Sequence, residues 1–143
     1  MPTKYRFQEE SAMDLRSLRF LVLWPHKMSL EECVLERDFE EGTRHFSARD
    51  EHGELVSCCT VMQEMRCIDG QNFPLRLRAM AAHPSIRRKG VSRMLLAYVE
   101  QSFPEMTFWC DAREVAVPFY LRCGWEVKSN AYEIPIIGTH YLM

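Results

Sequence analysis

Pro74-Leu75-Arg76-Leu77-Arg78-Ala79-Met80-Ala81-Ala82-His83-Pro84-Ser85-Ile86-Arg87-Arg88-Lys89-Gly90-Val91-Ser92-Arg93-Met94-Leu95-Leu96 is the stretch on which the reading of this chain turns. Its first part alternates Leu75, Leu77, Ala79 and Ala81 with Arg76, Arg78, Met80 and Ala82, the two-residue period of a strand. Its last part opens a helix, because Val91, Met94, Leu95, Tyr98 and Val99 recur at the spacing of one helical face. Between the two lies the basic loop Arg87-Arg88-Lys89-Gly90. A loop of this kind, turning directly into a helix, presents unpaired backbone N–H groups at the positive end of the helix dipole. That is an anion site. Gly90 admits a phosphate close to the backbone, Arg87, Arg88 and Lys89 neutralise it, and the Ser92 hydroxyl is a further donor. A pyrophosphate suits the geometry. The P-loop and dinucleotide glycine patterns are both absent.

Upstream, apolar residues from Met13 to Trp24 predict a helix stopped by Pro25. Ser29-Leu30-Glu31-Glu32 has the form of a capping box and predicts a short acidic helix over Glu31 to Glu41, which would be either a wall for a cationic acceptor or a solvated face. Arg44 to Asp50 and Leu55 to Gln63 read as an antiparallel pair joined at Glu51-His52-Gly53-Glu54, and Ile68-Asp69-Gly70-Gln71-Asn72 as a second turn. Downstream, Met106 to Cys110 reads as a buried strand ending at Asp111. A helix over Glu114 to Cys123 follows, with Pro118 in its first turn and Gly124 as its left-handed cap. Trp125 to Lys128 and Tyr132 to Ile137 read as closing strands.

The 143 residues fit one domain, 1–143, with a composition 47% hydrophobic and 27% charged, ordinary for a globular chain. A net charge of -2 gives no general attraction to nucleic acid or an anionic membrane, and no apolar run approaches bilayer-spanning length. The charged first twenty residues speak against a signal peptide. The 6 cysteines show no C-x-x-C spacing, so reduced thiols in a cytoplasmic chain are expected, with no metal site. Adjacent Cys58 and Cys59 should point to opposite faces of their strand.

A second motif completes the pattern. Arg87-x-x-Gly90-x-Ser92 is followed in order by a helix, a strand and a helix bearing Ala116, Phe119, Tyr120 and Gly124-Trp125. In this order the chain resembles the GCN5-related N-acetyltransferase (GNAT) family, whose loop reads Q/R-x-x-G-x-G/A and whose second segment reads A-x-x-F-Y-x-x-x-G-F. Ser92 and Trp125 depart from it. The ending Ile134 to Met143 is similar to those of small uncharacterised bacterial members.

The resemblance implies an α/β (α+β) fold with a mixed, mostly antiparallel central sheet flanked by helices. It also implies a splayed parallel strand pair that receives acetyl-CoA as acyl donor. By the same resemblance Met80, Ala81 and Ala82 hold the pantetheine arm, Arg87, Arg88, Lys89, Gly90, Val91 and Ser92 hold the pyrophosphate, and Phe119 borders the cofactor. Arg122 is either a further cofactor contact or a solvent-facing arginine. Tyr120 is the expected general acid, since the departing thiolate needs a proton. No carboxylate lies between Leu75 and Ala82, so His45, His83 and His140 are the candidate bases, with His140 preferred for its place in the closing strand. The implied reaction is acetyl transfer to the primary amine of a small molecule by a monomer or homodimer. The alternative is a non-catalytic acyl-CoA-binding module on the same scaffold.

Overall fold

Both turn clusters close hairpins in the computed structural model, which describes residues 4–143. Strands β2 (Arg44–Arg49) and β3 (Leu55–Ile68) pair antiparallel, and between them the Asp50 carboxylate accepts from the N–H groups of His52 and Glu54 at 2.8 and 3.0 Å. β3 turns into β4 (Gln71–Ala82) through Asp69-Gly70, with φ of 52° and 78°, the double positive value that a tight hairpin turn demands. β1 (Arg6–Glu10) adds outside β2, and β5 (Phe108–Trp109) lies parallel to β4, giving the order β1-β2-β3-β4-β5. A parallel neighbour needs a crossover, and helix α2 (Val91–Gln101) supplies it; α1 is the short helix Arg16–Leu18.

Side-chain parity assigns the two faces of the sheet. Leu75 and Leu77 join Phe46, Cys59 and Val61 beneath Leu95, Leu96 and Val99 of α2. Cys58 packs on the opposite face with Leu15, Leu18 and Ala81, so the adjacent cysteines do part as the alternation requires. On α2 itself Met94 is 40% exposed and Leu96 takes its expected place inside. The predicted N-terminal helix forms as three unlike pieces, a 3-10 turn over Ala12–Leu15, then α1, then a wide π turn over Arg19–Leu23.

The regular alternation read along β4 breaks at Ala79. Cys58 pairs with Ala81 but Thr60 pairs with Arg78, so Ala79 and Met80 together oppose Cys59, and Ala79 sits at φ 53°. This is a β-bulge, and one extra residue inverts everything beyond it. Ala81 therefore joins the face of Arg76 and Arg78 rather than that of Leu75, while Met80 and Ala82 turn towards α2.

Other expectations are corrected too. The acidic helix does not form: only a 3-10 turn over Leu30–Glu32 follows Ser29, with the Glu32 carboxylate accepting from the N–H groups of Met28 and Ser29 at 2.6 and 3.1 Å. Trp125 to Lys128 is not a strand. The closing hairpin is β7 (Tyr132–Ile134) with β8 (Gly138–Leu142), and β8 also pairs with β6 (Asp111–Arg113) to make a second sheet, β6-β8-β7. The expected strand ending at Asp111 is thus two: β5 beside β4, and β6 beside β8 after a turn at Cys110, which exchanges backbone bonds of 2.9 and 3.0 Å with Met143. Helix α3 (Val117–Arg122) follows a 3-10 turn, with Pro118 in its first turn and Gly124 at φ 87° after its end.

Candidate functional site

The switch of the chain from β5 to β6 opens a wedge. β4 and β5 pair only at Leu75 with Phe108 and at Arg76 with Trp109, so beyond Arg76 that side of β4 has no strand partner. The bulge determines which backbone groups face the gap. Leu75 N–H donates towards β5, at Thr107 O, whereas His83 N–H donates towards β3, at Val56 O. Both are odd-numbered, so the side has changed across Ala79, and Met80 and Ala82 direct N–H and C=O into the wedge. Ala81 faces the other way, its carbonyl accepting from the Ser57 hydroxyl at 3.0 Å.

At the mouth of the wedge is the basic loop. Gly90 caps α2 at φ 77°, a conformation a side chain would strain, and the space where a Cβ would stand is open. The first intrahelical bond runs from Met94 N–H to Gly90 O at 3.0 Å. Among the described residues the N–H groups of Arg88, Gly90, Val91, Ser92 and Arg93 have no backbone acceptor. Together they form the anion cradle expected of such a helix start.

A cavity of about 640 Å³ runs from this cradle along the wedge, lined by Met80, Ala81, Ala82, Arg87, Arg88, Gly90, Val91, Ser92, Phe119 and Tyr120. Of the residues assigned to the donor, only Lys89 falls outside the lining. Arg93 and Arg122 add two cations that no motif singled out as primary, and Ile86, Val115 and Ala116 add apolar surface. None of Arg87, Arg88, Arg93 and Arg122 is ion-paired among the described residues. Four free guanidiniums and a cradle of N–H groups fit a polyanionic nucleotide tail.

The Ser92 hydroxyl does something other than expected. It lies 2.8 Å from the Ser57 hydroxyl, and Ser57 already gives its only proton to Ala81 O. With Ser57 donating to Ala81 O, the Ser92 hydroxyl donates to Ser57 and is engaged within the protein. Its side chain ties the start of α2 to Ser57 of β3, which leaves its N–H for an anion.

A second cleft of about 200 Å³ lies on the other side, lined by Leu23, Trp24, Leu35, Arg76, Arg78, Asp111, Arg113, Ile134, Ile137 and His140, among others. Met80, Ala116 and Tyr120 line both cavities, so the two meet there. Tyr120 is 5% exposed and packs edge-on to Phe119 and tilted on Trp125, each with ring centroids 5.1 Å away. Burial, with neighbouring cysteines, raises its phenol well above the usual range, so it stays protonated. The Cys110 thiol is the neighbour of its hydroxyl.

The three candidate histidines separate cleanly. His83 Nδ1 accepts from Ser85 N–H at 3.0 Å in the turn before the loop. His45 is buried in a closed network: Nε2 donates to Asp38 O at 3.0 Å and Nδ1 accepts from Thr60, while Arg19 binds Asp38 at 2.6 Å and Thr60 at 2.7 Å. Desolvation lowers its pKa, and neither nitrogen is free. His140 lines the second cleft, and its Nδ1 lies 2.8 Å from Gly138 O. A carbonyl only accepts, so Nδ1 carries the hydrogen and Nε2 of the neutral ring keeps a lone pair.

The acidic run supplies no wall to the cleft. Asp38 is buried against Arg19, Glu40 pairs with Arg37, Glu32 caps its turn, and Leu35 is the run's one residue in the lining. Among the described residues no group of three or more potential ligands is arranged to hold a metal, and no helix is long and apolar enough to cross a membrane.

A mixed sheet that splits after its fourth strand, with an anion cradle at the mouth of the split, is the architecture of N-acetyltransferases. The chain belongs to the GNAT family: the model of its acetyltransferase (GNAT) domain matches residues 21–135. It is 28% identical over 136 residues to the uncharacterised N-acetyltransferase YitI of Bacillus subtilis (strain 168), covering 93% of this chain and 90% of that protein. A putative N-acetyltransferase from Lactobacillus plantarum has the same fold, with a TM-score of 0.75 at 15% identity over 98% of this chain and 97% of that one. So does an aminoglycoside 6'-N-acetyltransferase complexed with coenzyme A, with a TM-score of 0.72 at 15% identity over 96% and 94%.

Proposed function

We propose that the chain is an acetyl-CoA-dependent N-acetyltransferase acting on the primary amine of a small molecule. The observation that carries this reading is the junction of the two cavities at Met80, Ala116 and Tyr120. One cavity ends in an anion cradle and the other in a cleft with a free imidazole nitrogen, so a donor and an acceptor reach the same point from opposite sides.

Acetyl-CoA supplies an acyl group already activated as a thioester. The cradle at Arg88 to Arg93, with the four arginines, holds its pyrophosphate and terminal phosphate, and Met80 and Ala82 offer the open edge of β4 to the amide-bearing arm. Met80 N–H, directed into the wedge at the junction, stabilises the oxyanion that forms when the amine attacks the thioester carbon. His140 Nε2 accepts the proton that the amine must lose. Tyr120 donates its hydrogen bond to the sulfur as the carbon–sulfur bond breaks.

The test has two stages. Calorimetry with acetyl-CoA and with coenzyme A should show saturable heat, and free-thiol release across a panel of amines should identify the acceptor. Saturable binding without turnover over the whole panel would favour the non-catalytic acyl-CoA module. No heat with either ligand would end the acyltransferase reading.

A further inference from the structure

The acceptor cleft is cationic. Arg76, Arg78 and Arg113 line it against a single carboxylate, Asp111. Asp111 is fully engaged, with Arg76 Nη2 at 2.8 Å on one oxygen and the Tyr132 hydroxyl on the other. Both Nη atoms of Arg76 are engaged as well, Nη1 donating to Glu64 at 3.1 Å, with the guanidinium stacked over Trp109 at 4.9 Å, and only its buried Nε has no partner among the described residues. Arg78 is different. It lies two residues on, on the same face of β4 and still ahead of the bulge, half-buried and with no hydrogen-bond or ion-pair partner among the described residues. A desolvated guanidinium beside a second arginine is costly unless an anion completes it. Apart from His140 and Tyr120 at the reacting end, Leu23, Trp24, Leu35, Ile134 and Ile137 give the cleft an apolar wall.

We propose that the acceptor is an amine that also carries a carboxylate and an apolar body, an amino acid of this kind, with the carboxylate bound by Arg78 and the amine directed to the Met80–Tyr120 junction. The proposal rests on the acetyltransferase reading above. A planar carboxylate matches the guanidinium fork with two parallel hydrogen bonds, and a cleft of about 200 Å³ has room for a small acceptor. The same charges repel polyamines.

The experiment compares leucine, methionine and phenylalanine with their amides and decarboxylated amines, and with spermidine, by thiol release and mass spectrometry of the product. The carboxylated acceptors should be preferred in kcat/KM by about tenfold or more, and Arg78→Gln should erase that preference through KM while Arg78→Lys restores part of it. Acetyl-CoA binding, measured separately by calorimetry, should be unchanged in both variants, because Arg78 does not line the donor cavity. Independently of turnover, the protein saturated with coenzyme A should bind N-acetyl-leucine about tenfold more tightly than N-acetyl-leucinamide. Equal treatment of acids and amides, preference for spermidine, or no binding of the acetylated acid overturns the proposal while leaving the acetyltransferase reading intact. Loss of acetyl-CoA binding in the unaltered protein overturns both.

Discussion

Replacing Tyr120 by Phe removes one oxygen from the junction of the two cavities and should separate chemistry from folding. The ring keeps its contacts with Phe119 and Trp125, and only the hydroxyl is removed, so the loss of stability should stay below about 1 kcal/mol. For a chain of this size that is a fall in Tm of no more than about 3–4 °C. The rate should suffer far more. Loss of a preorganised donor to developing charge in a closed site costs about 100- to 1,000-fold in kcat. The assay is thiol release at saturating acetyl-CoA with an acceptor identified by screening, alongside calorimetry of acetyl-CoA binding, which should change by less than about threefold. Because burial holds the phenol well above its usual range, the unaltered enzyme should show no alkaline loss of rate from this group below about pH 10. An unchanged kcat in Tyr120→Phe would refute the assignment, and so would an activity loss that merely tracks the unfolded fraction.

Gly90→Ala meets no atom in the way of its new Cβ but forces alanine to φ 77°, so it should destabilise by about 1–2 kcal/mol and weaken acetyl-CoA binding by tenfold or more; scanning calorimetry and titration calorimetry check the two effects. Ser92→Ala should cost about 1 kcal/mol of stability through the lost bond to Ser57, yet weaken acetyl-CoA binding by less than about threefold; a tenfold loss in titration would mean that the hydroxyl reaches a phosphate after all. The buried network of His45 makes stability depend on pH. Its folded pKa lies below the unfolded value near 6.5, so the unfolded chain takes up the proton first and stability falls as pH drops below about 6.5. Melting curves between pH 7.5 and 5 should show this fall, and His45→Gln should lessen its slope.

How much of this was visible in the sequence depends on whether the chain marked its irregularities. The anion cradle was legible because Gly90 stands where only a glycine is comfortable, and the second motif was legible through Pro118, Phe119, Tyr120 and Gly124 at helical spacing. The bulge was not. It is carried by Ala79 at φ 53°, an alanine in a conformation that normally advertises itself with glycine or asparagine, so strict alternation was the natural reading and was wrong beyond Arg78. The acidic segment misled for a related reason: its cap was real, but Asp38 is matched to Arg19, outside the segment, and Glu40 to Arg37 beside it, rather than to a helix. Nor could spacing show that Ser92 spends its proton on Ser57, 35 residues away. Arg78 read as one of two strand arginines, and only the pairing of Arg76 with Glu64 and Asp111 sets it apart.

Titration calorimetry of the purified protein with acetyl-CoA tests the central claim most directly. The cradle at the start of α2 and the open edge of β4 predict saturable heat, with affinity falling steeply as salt rises because arginines on phosphates carry much of it. No heat at millimolar ligand, or binding indifferent to salt and to Gly90→Ala, would contradict the account.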